Sequence, residues 1–179
     1  MRHAAVYGAR QPFGFELCSQ LLEKGYYVHA VDHQYWMREA DEEKWLFVGR
    51  NANLDYYEIQ NEDDHAKLPF KVPKNCLIFI PVVDYMMRHV SQVRDQLVRQ
   101  LAAFLHMKEL QGACLFFIYP PAANLDQASF LKNVHGIYRD LRTNEVTAID
   151  YCLAAQMDGS AKHQVESFLC GSVEKLARN

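Results

Sequence analysis

The chain has 179 residues, 50% of them hydrophobic, enough to enclose one sizeable core, so a single domain over residues 1–179 is expected. A formal charge of −3, with Lys and Arg mixed among acids, provides no basic face and argues against nucleic acid as a partner. No apolar run approaches the roughly 18 residues of a membrane span and no long apolar signal core opens the chain, so the expectation is a cytoplasmic protein with no membrane contact. Five cysteines, at positions 18, 76, 114, 152 and 170, are odd in number, widely spread and mostly within apolar runs, the pattern of reduced, buried thiols.

Residues 4–7 read as a first strand, followed by a turn bounded by Gly8 and Gly14. Phe15, Leu17, Leu21 and Leu22 then fall close to one helical face, and Gly25 after Lys24 is a stop signal. A second strand over residues 27–31 ends at Asp32. Residues 34–45 are polar and acid-rich, so a helix there packs only a narrow stripe, and the charges from Glu39 to Lys44 form a solvated face. The third strand is either 45–48 or 54–59, which periodicity does not separate, and residues 60–75, with Asn61, Asp63, Asp64, Pro69 and Pro73, are a surface connection.

Residues 76–83 are almost wholly apolar, as in a central strand covered on both faces. Val90, Val93, Leu97, Leu101, Phe104 and Leu105 recur at three- and four-residue steps and predict a helix on that sheet. Residues 113–119 repeat the buried-strand pattern and Pro120-Pro121 stops it. A helix over about 127–141, a strand over 145–153 and a closing helix over about 161–177, capped by Ser160, complete the order. Strands alternating with helices predict an α/β fold: a Rossmann-like, doubly wound parallel sheet in three layers, α/β/α.

Residues 6–32 resemble the opening of the short-chain dehydrogenase/reductase superfamily, closest to its extended, epimerase-like branch, which begins Gly-Ala-x-Gly-x-x-Gly. Gly8, Ala9, Gly14, Leu17, Leu21, Leu22, Gly25 and Asp32 fall where that pattern puts them, and Gln11 stands in place of the middle glycine. The resemblance implies NAD or NADP as cofactor; Gln11, whose side chain would crowd the place where the family's backbone nears the pyrophosphate, keeps the absence of any cofactor as the alternative. The candidate cofactor-binding residues are Gly8, Ala9, Arg10, Gln11, Phe13 and Gly14 of the turn, with Asp32 for a ribose. Asp32 favours NAD, Arg10 would meet a 2′-phosphate, and Asp55 would face an adenine. Each acid also has a plainer reading, Asp32 as a helix cap and Asp55 as a solvated turn residue.

The family's chemistry uses a Tyr with a Lys four residues later and a Ser or Thr after the fifth strand. Here Tyr138 is followed by Arg142, and Pro120-Pro121-Ala122-Ala123 carries no hydroxyl, so Tyr138 and Arg142 are weak catalytic candidates and Tyr138 is expected to pack its helix. The substrate-binding segment that follows the sixth strand in epimerase-like members has no counterpart soon after Leu153. No metal site is expected from the eight histidines, and Cys18, near the first helix's N-terminus, reads as a small core residue.

Three functions compete on these residues. The first is a catalytically degenerate, nucleotide-binding or regulatory module. The second is a small active NAD(P)-dependent oxidoreductase, and the third a protein–protein interaction module without nucleotide, using aromatic residues around Tyr35, Trp36, Tyr56 and Tyr57. A homodimer through the outer helices is the expected assembly.

Overall fold

The computed structural model describes residues 1–36, 45–46, 48–60, 68–87, 91–121, 128–144, 146–154 and 160–173. The chain runs β1 (Arg2–Tyr7), α1 (Pro12–Glu23), β2 (Tyr26–His33), a 3-10 turn (Gln34–Trp36), β3 (Leu54–Ile59), β4 (Leu77–Ile80) and α2 (Val82–Met87). It continues through α3 (Ser91–Phe104), β5 (Cys114–Tyr119), α4 (Ala128–Thr143), β6 (Thr147–Cys152) and α5 (Ala161–Phe168), which a π turn (Leu169–Val173) prolongs. The six strands lie in the order β3-β2-β1-β4-β5-β6, and every neighbouring pair is parallel. This is the doubly wound order, in which the chain leaves β1 in one direction and returns through β4 in the other.

Alternation along the strands separates two apolar layers. Ala5, Tyr7, Ile78, Ile80, Leu115 and Phe117 face α3 and α4, which contribute Leu97, Leu101, Val134 and Leu141. Ala4, Val6, Val28, Phe79, Phe116 and Ile118 face α1 and α5, which contribute Leu17, Leu21, Val165 and Phe168. A sheet buried on both faces explains why its strands read as continuous apolar runs. The expected three-layer arrangement is therefore present.

Local signals set most boundaries. Gly25, at φ +77°, ends α1 and donates its N–H to the Leu22 carbonyl at 3.0 Å. The Ser160 hydroxyl accepts from the His163 amide at 3.4 Å, capping α5 as expected. The third strand is Leu54–Ile59, while Trp45 and Val48 pack into the α1 side of the core.

Two expectations need correction. The apolar run 76–83 is not one strand: β4 stops at Ile80, and Val82 and Val83 open α2. Pro81 is the cause, since it has no N–H for the ladder, and its carbonyl accepts from the Asp84 amide at 3.0 Å to start the helical turn. The cysteines are all free, but only Cys18 and Cys76 are buried, Cys114 is half-buried, and Cys152 and Cys170 are exposed, because the edge strand β6 and the end of α5 leave one side in solvent.

Part of the expected helix over 34–45 lies outside the described residues, together with the Glu39 to Lys44 charges, Asn61, Asp63, Asp64, Val90, Gln127 and positions 174–177. Among the described residues no helix is long and apolar enough to cross a membrane, and no three His, Cys, Asp or Glu side chains converge as metal ligands.

Candidate functional site

The turn between β1 and α1 sits at the carboxyl ends of β1 and β2, beside the point where the strand order reverses. Crevices at such switch points are where open α/β sheets hold ligands. Gly8 takes φ +68°, a left-handed conformation in which a side chain is strained, and its amide donates to the Val31 carbonyl at 2.8 Å. The Gln11 amide closes the turn on the Gly8 carbonyl at 2.9 Å. Gly14 is required for packing: a Cβ there would lie 2.1 Å from the Gly8 carbonyl oxygen, so α1 can press against the turn only without a side chain. Ala9 is fully buried, and Phe13 packs against Phe168 of α5 at 6.5 Å between ring centroids.

The N-terminus of a helix in this position offers free amides and the positive end of a dipole to an anion. Here the protein fills that place itself. The Asp84 carboxylate, carried by α2, accepts from the Phe13 amide through Oδ1 at 3.1 Å and from the Gly14 amide through Oδ2 at 2.9 Å. Asp84 is 1% exposed. Pro12, the first residue of α1, removes one further amide from the cradle.

Side chains also cover the turn. Gln11 is 1% exposed, and its Nε2 donates to the Trp36 carbonyl at 3.1 Å. The Trp36 ring lies against Gly8, where an added Cβ would meet ring carbon Cζ3 at 3.0 Å, and packs on Tyr85 of α2 at 4.2 Å between centroids. Tyr85 Oη meets His33 Nε2 at 3.1 Å. Trp36 is buried rather than an exposed aromatic contact, because it fills the space over the glycine turn.

Asp32 stands at the end of β2, facing the turn, and its Oδ2 accepts from the Arg10 amide at 3.1 Å. Burial pushes its carboxyl well above the usual carboxylate range, opposed by nearby Arg10 and reinforced by Asp84 and Glu58. The Arg10 guanidinium lies over the Tyr56 ring at 4.3 Å and the Trp45 ring at 5.4 Å. Asp55 lies near the amino end of β3, paired in register with His29, and accepts from Tyr57 Oη at 3.2 Å. It is therefore remote from the glycine turn, since β3 begins at Leu54 and turns its carboxyl end, not Asp55, toward that level of the sheet.

Tyr138 and Arg142 of α4 are brought together elsewhere. Tyr138 Oη donates to Asp150 Oδ1 at 3.3 Å and accepts from Arg142 Nη1 at 3.5 Å, while its ring packs edge-on to Phe117 at 5.5 Å. Asp150 belongs to β6, three strands from β1, or about 14 Å at ordinary strand spacing. Burial, not activation, dominates the thiol of Cys18, which is fully buried and pushed well above its ordinary range.

Sequence reasoning missed Asp84 and Pro12, and it assigned Trp36 to a partner surface instead of the glycine turn. Pro12 was visible as an amide-less residue inside the motif. Asp84 lies 70 residues along the chain from Gly14, and no local pattern links the two.

No protein-family model matches the chain, and no curated protein sequence does. Solved structures match it over nearly its whole length. A protein from Aeromonas hydrophila described as a short-chain dehydrogenase/reductase family oxidoreductase superposes with a TM-score of 0.63 at 12% identity, covering 95% of this chain and 91% of its own. The two share the Rossmann-like α/β fold, a six-stranded parallel sheet flanked by helices. The bulky-bulky ketone specific alcohol dehydrogenase from Comamonas testosteroni gives a TM-score of 0.57 at 14% identity over 98% of this chain and 84% of its own. AtPrR2, solved with NADP+ and (+)pinoresinol, gives 0.61 at 8% identity over 95% of this chain and 65% of its own. At these identities the likeness concerns the Rossmann-like fold, which carries dinucleotides in many oxidoreductases.

Proposed function

We propose that the chain is a catalytically degenerate Rossmann protein related to NAD-dependent epimerases and dehydrogenases, acting as a nucleotide-binding or regulatory module and not as an oxidoreductase. One observation carries this reading. The tyrosine of the helix after β5, which would exchange a proton with a substrate carbonyl, is engaged with Asp150 of β6, three strands from β1, and Arg142 replaces the lysine that would assist it. Arginine keeps its charge and lacks the compact ammonium. The prolines after β5 leave no hydroxyl there to orient a carbonyl.

The ligand class in this reading is a nicotinamide dinucleotide, by analogy with AtPrR2 and its NADP+. A second reading, a protein-binding platform without nucleotide, is favoured by the engagement of the α1 amides with Asp84. Calorimetric titration with NAD, NADH, NADP and NADPH separates the two: affinity tighter than about millimolar supports the module, and silence both in the parent and in Asp84→Ala, which frees the α1 amides, supports the platform. Turnover of a ketone or alcohol that disappears in Tyr138→Phe would overturn both in favour of an active oxidoreductase.

A further inference from the structure

We infer that α2 is a built-in plug, whose Asp84 carboxylate stands in for the phosphoryl group of a ligand and must be displaced for that ligand to bind. The inference rests on the proposed reading that this fold's nucleotide corner is retained. Both carboxylate oxygens of Asp84 are used on consecutive amides of α1, at 3.1 and 2.9 Å, so the plug satisfies the same donors that a phosphate would. Two anions cannot share those amides. Binding and plugging are therefore mutually exclusive.

The plug is one mechanical unit. Arg94 of α3 donates from Nε to the Tyr85 carbonyl at 2.7 Å and from Nη2 to the Met86 carbonyl at 3.4 Å, holding the far end of α2 with a cation where the helix dipole favours one. Between the two ends, Tyr85 supports Trp36, and Trp36 covers Gly8 and holds Gln11. Release of Asp84 thus loosens the cover over the whole turn.

An independent observation points to a ligand. In the closed arrangement Gln11 Oε1, Trp36 Nε1 and Asp32 Oδ1 are buried with no hydrogen-bond partner, and the exposures of their residues are 1%, 3% and 1%. Such atoms are nearly always paired in folded proteins, by protein, water or ligand. Two are acceptors and one is a donor, so the complementary molecule carries hydroxyl or N–H donors and an acceptor beside its phosphate. A phosphorylated sugar or nucleoside has this chemistry.

The test compares the full chain with Asp84→Ala and with Asp84→Asn, which keeps the shape and one acceptor oxygen. Hydrogen exchange at the Phe13 and Gly14 amides, and calorimetry with inorganic pyrophosphate and with NADH, are the measurements. In Asp84→Ala both amides should exchange at least tenfold faster and affinity for one or both probes should rise at least tenfold, with Asp84→Asn between. Amides that become exposed while neither probe binds more tightly would overturn the plug and leave Asp84 a permanent helix cap. Should the alanine variant fail to fold, Asp84→Asn decides, and added pyrophosphate must shift the Phe13 and Gly14 amide resonances of the unaltered chain; no shift overturns the inference. Turnover by any variant would instead overturn the non-enzymatic reading and leave the plug intact.

Discussion

At the glycine corner, the positions that backbone geometry dictates hold the residues the fold needs, Gly8 at φ +68° and Gly14 against the Gly8 carbonyl, while the space a ligand would use is filled by Asp84, Gln11 and Trp36. At the β5–α4–β6 flank the elements are equally intact, yet Tyr138 serves a tie between a helix and an edge strand. The two regions separate frame from content. Steric demands of a strand–turn–helix corner persist whatever occupies it, so a glycine pattern is evidence of geometry first and of ligand only second.

Gly14→Ala should break the comparison most severely. Its Cβ would fall 2.1 Å from backbone, which no rotamer relieves, and a loss of about 3 kcal/mol in denaturant unfolding is expected. If the variant were as stable as the parent, the corner would be looser than its contacts indicate. An alanine at Gly136 of α4, where nothing lies within 4 Å of the added Cβ, is the control on the other flank.

A smaller effect, opposite in sign, is expected of Asp32→Asn. A carboxyl raised by burial contributes its full stability below the ordinary carboxylate pKa and loses it as pH rises through the folded value, so the parent carries a penalty at neutral pH. Asparagine keeps an acceptor for the Arg10 amide and carries no charge. Its melting temperature should exceed the parent's by a few degrees at pH 7, and the gap should close near pH 4. A gap independent of pH would assign Asp32 no buried ionisation.

Tyr138→Phe should matter least. One hydrogen bond at the sheet edge is lost, about 0.5–1 kcal/mol, and the ring's contact with Phe117 remains. A much larger loss would mean that this flank, not the corner, anchors its half of the sheet.

The order of elements was legible because apolar periodicity and turn residues are local: Gly25 stops α1, Pro120 stops β5 and Ser160 starts α5. The end of β4 was legible too, had Pro81 been weighed above the apolar run that surrounds it. What fills the corner was not legible. The bond from Asp84 to Gly14 spans 70 residues and depends on how β4 is placed beside β1, which no spacing rule encodes. The choice of 54–59 over 45–48 as third strand likewise depended on Trp45 and Val48 packing against the α1 face.

The chain has two tryptophans, and both flank the same few residues: Trp36 rests on Gly8, and Trp45 faces Arg10 and the Phe15 ring. Intrinsic fluorescence is therefore a local gauge of this corner, with no other indole to dilute it. Lifting either ring from its buried seat would move the emission to longer wavelength, so the opening of a single turn becomes readable in a cuvette without any label.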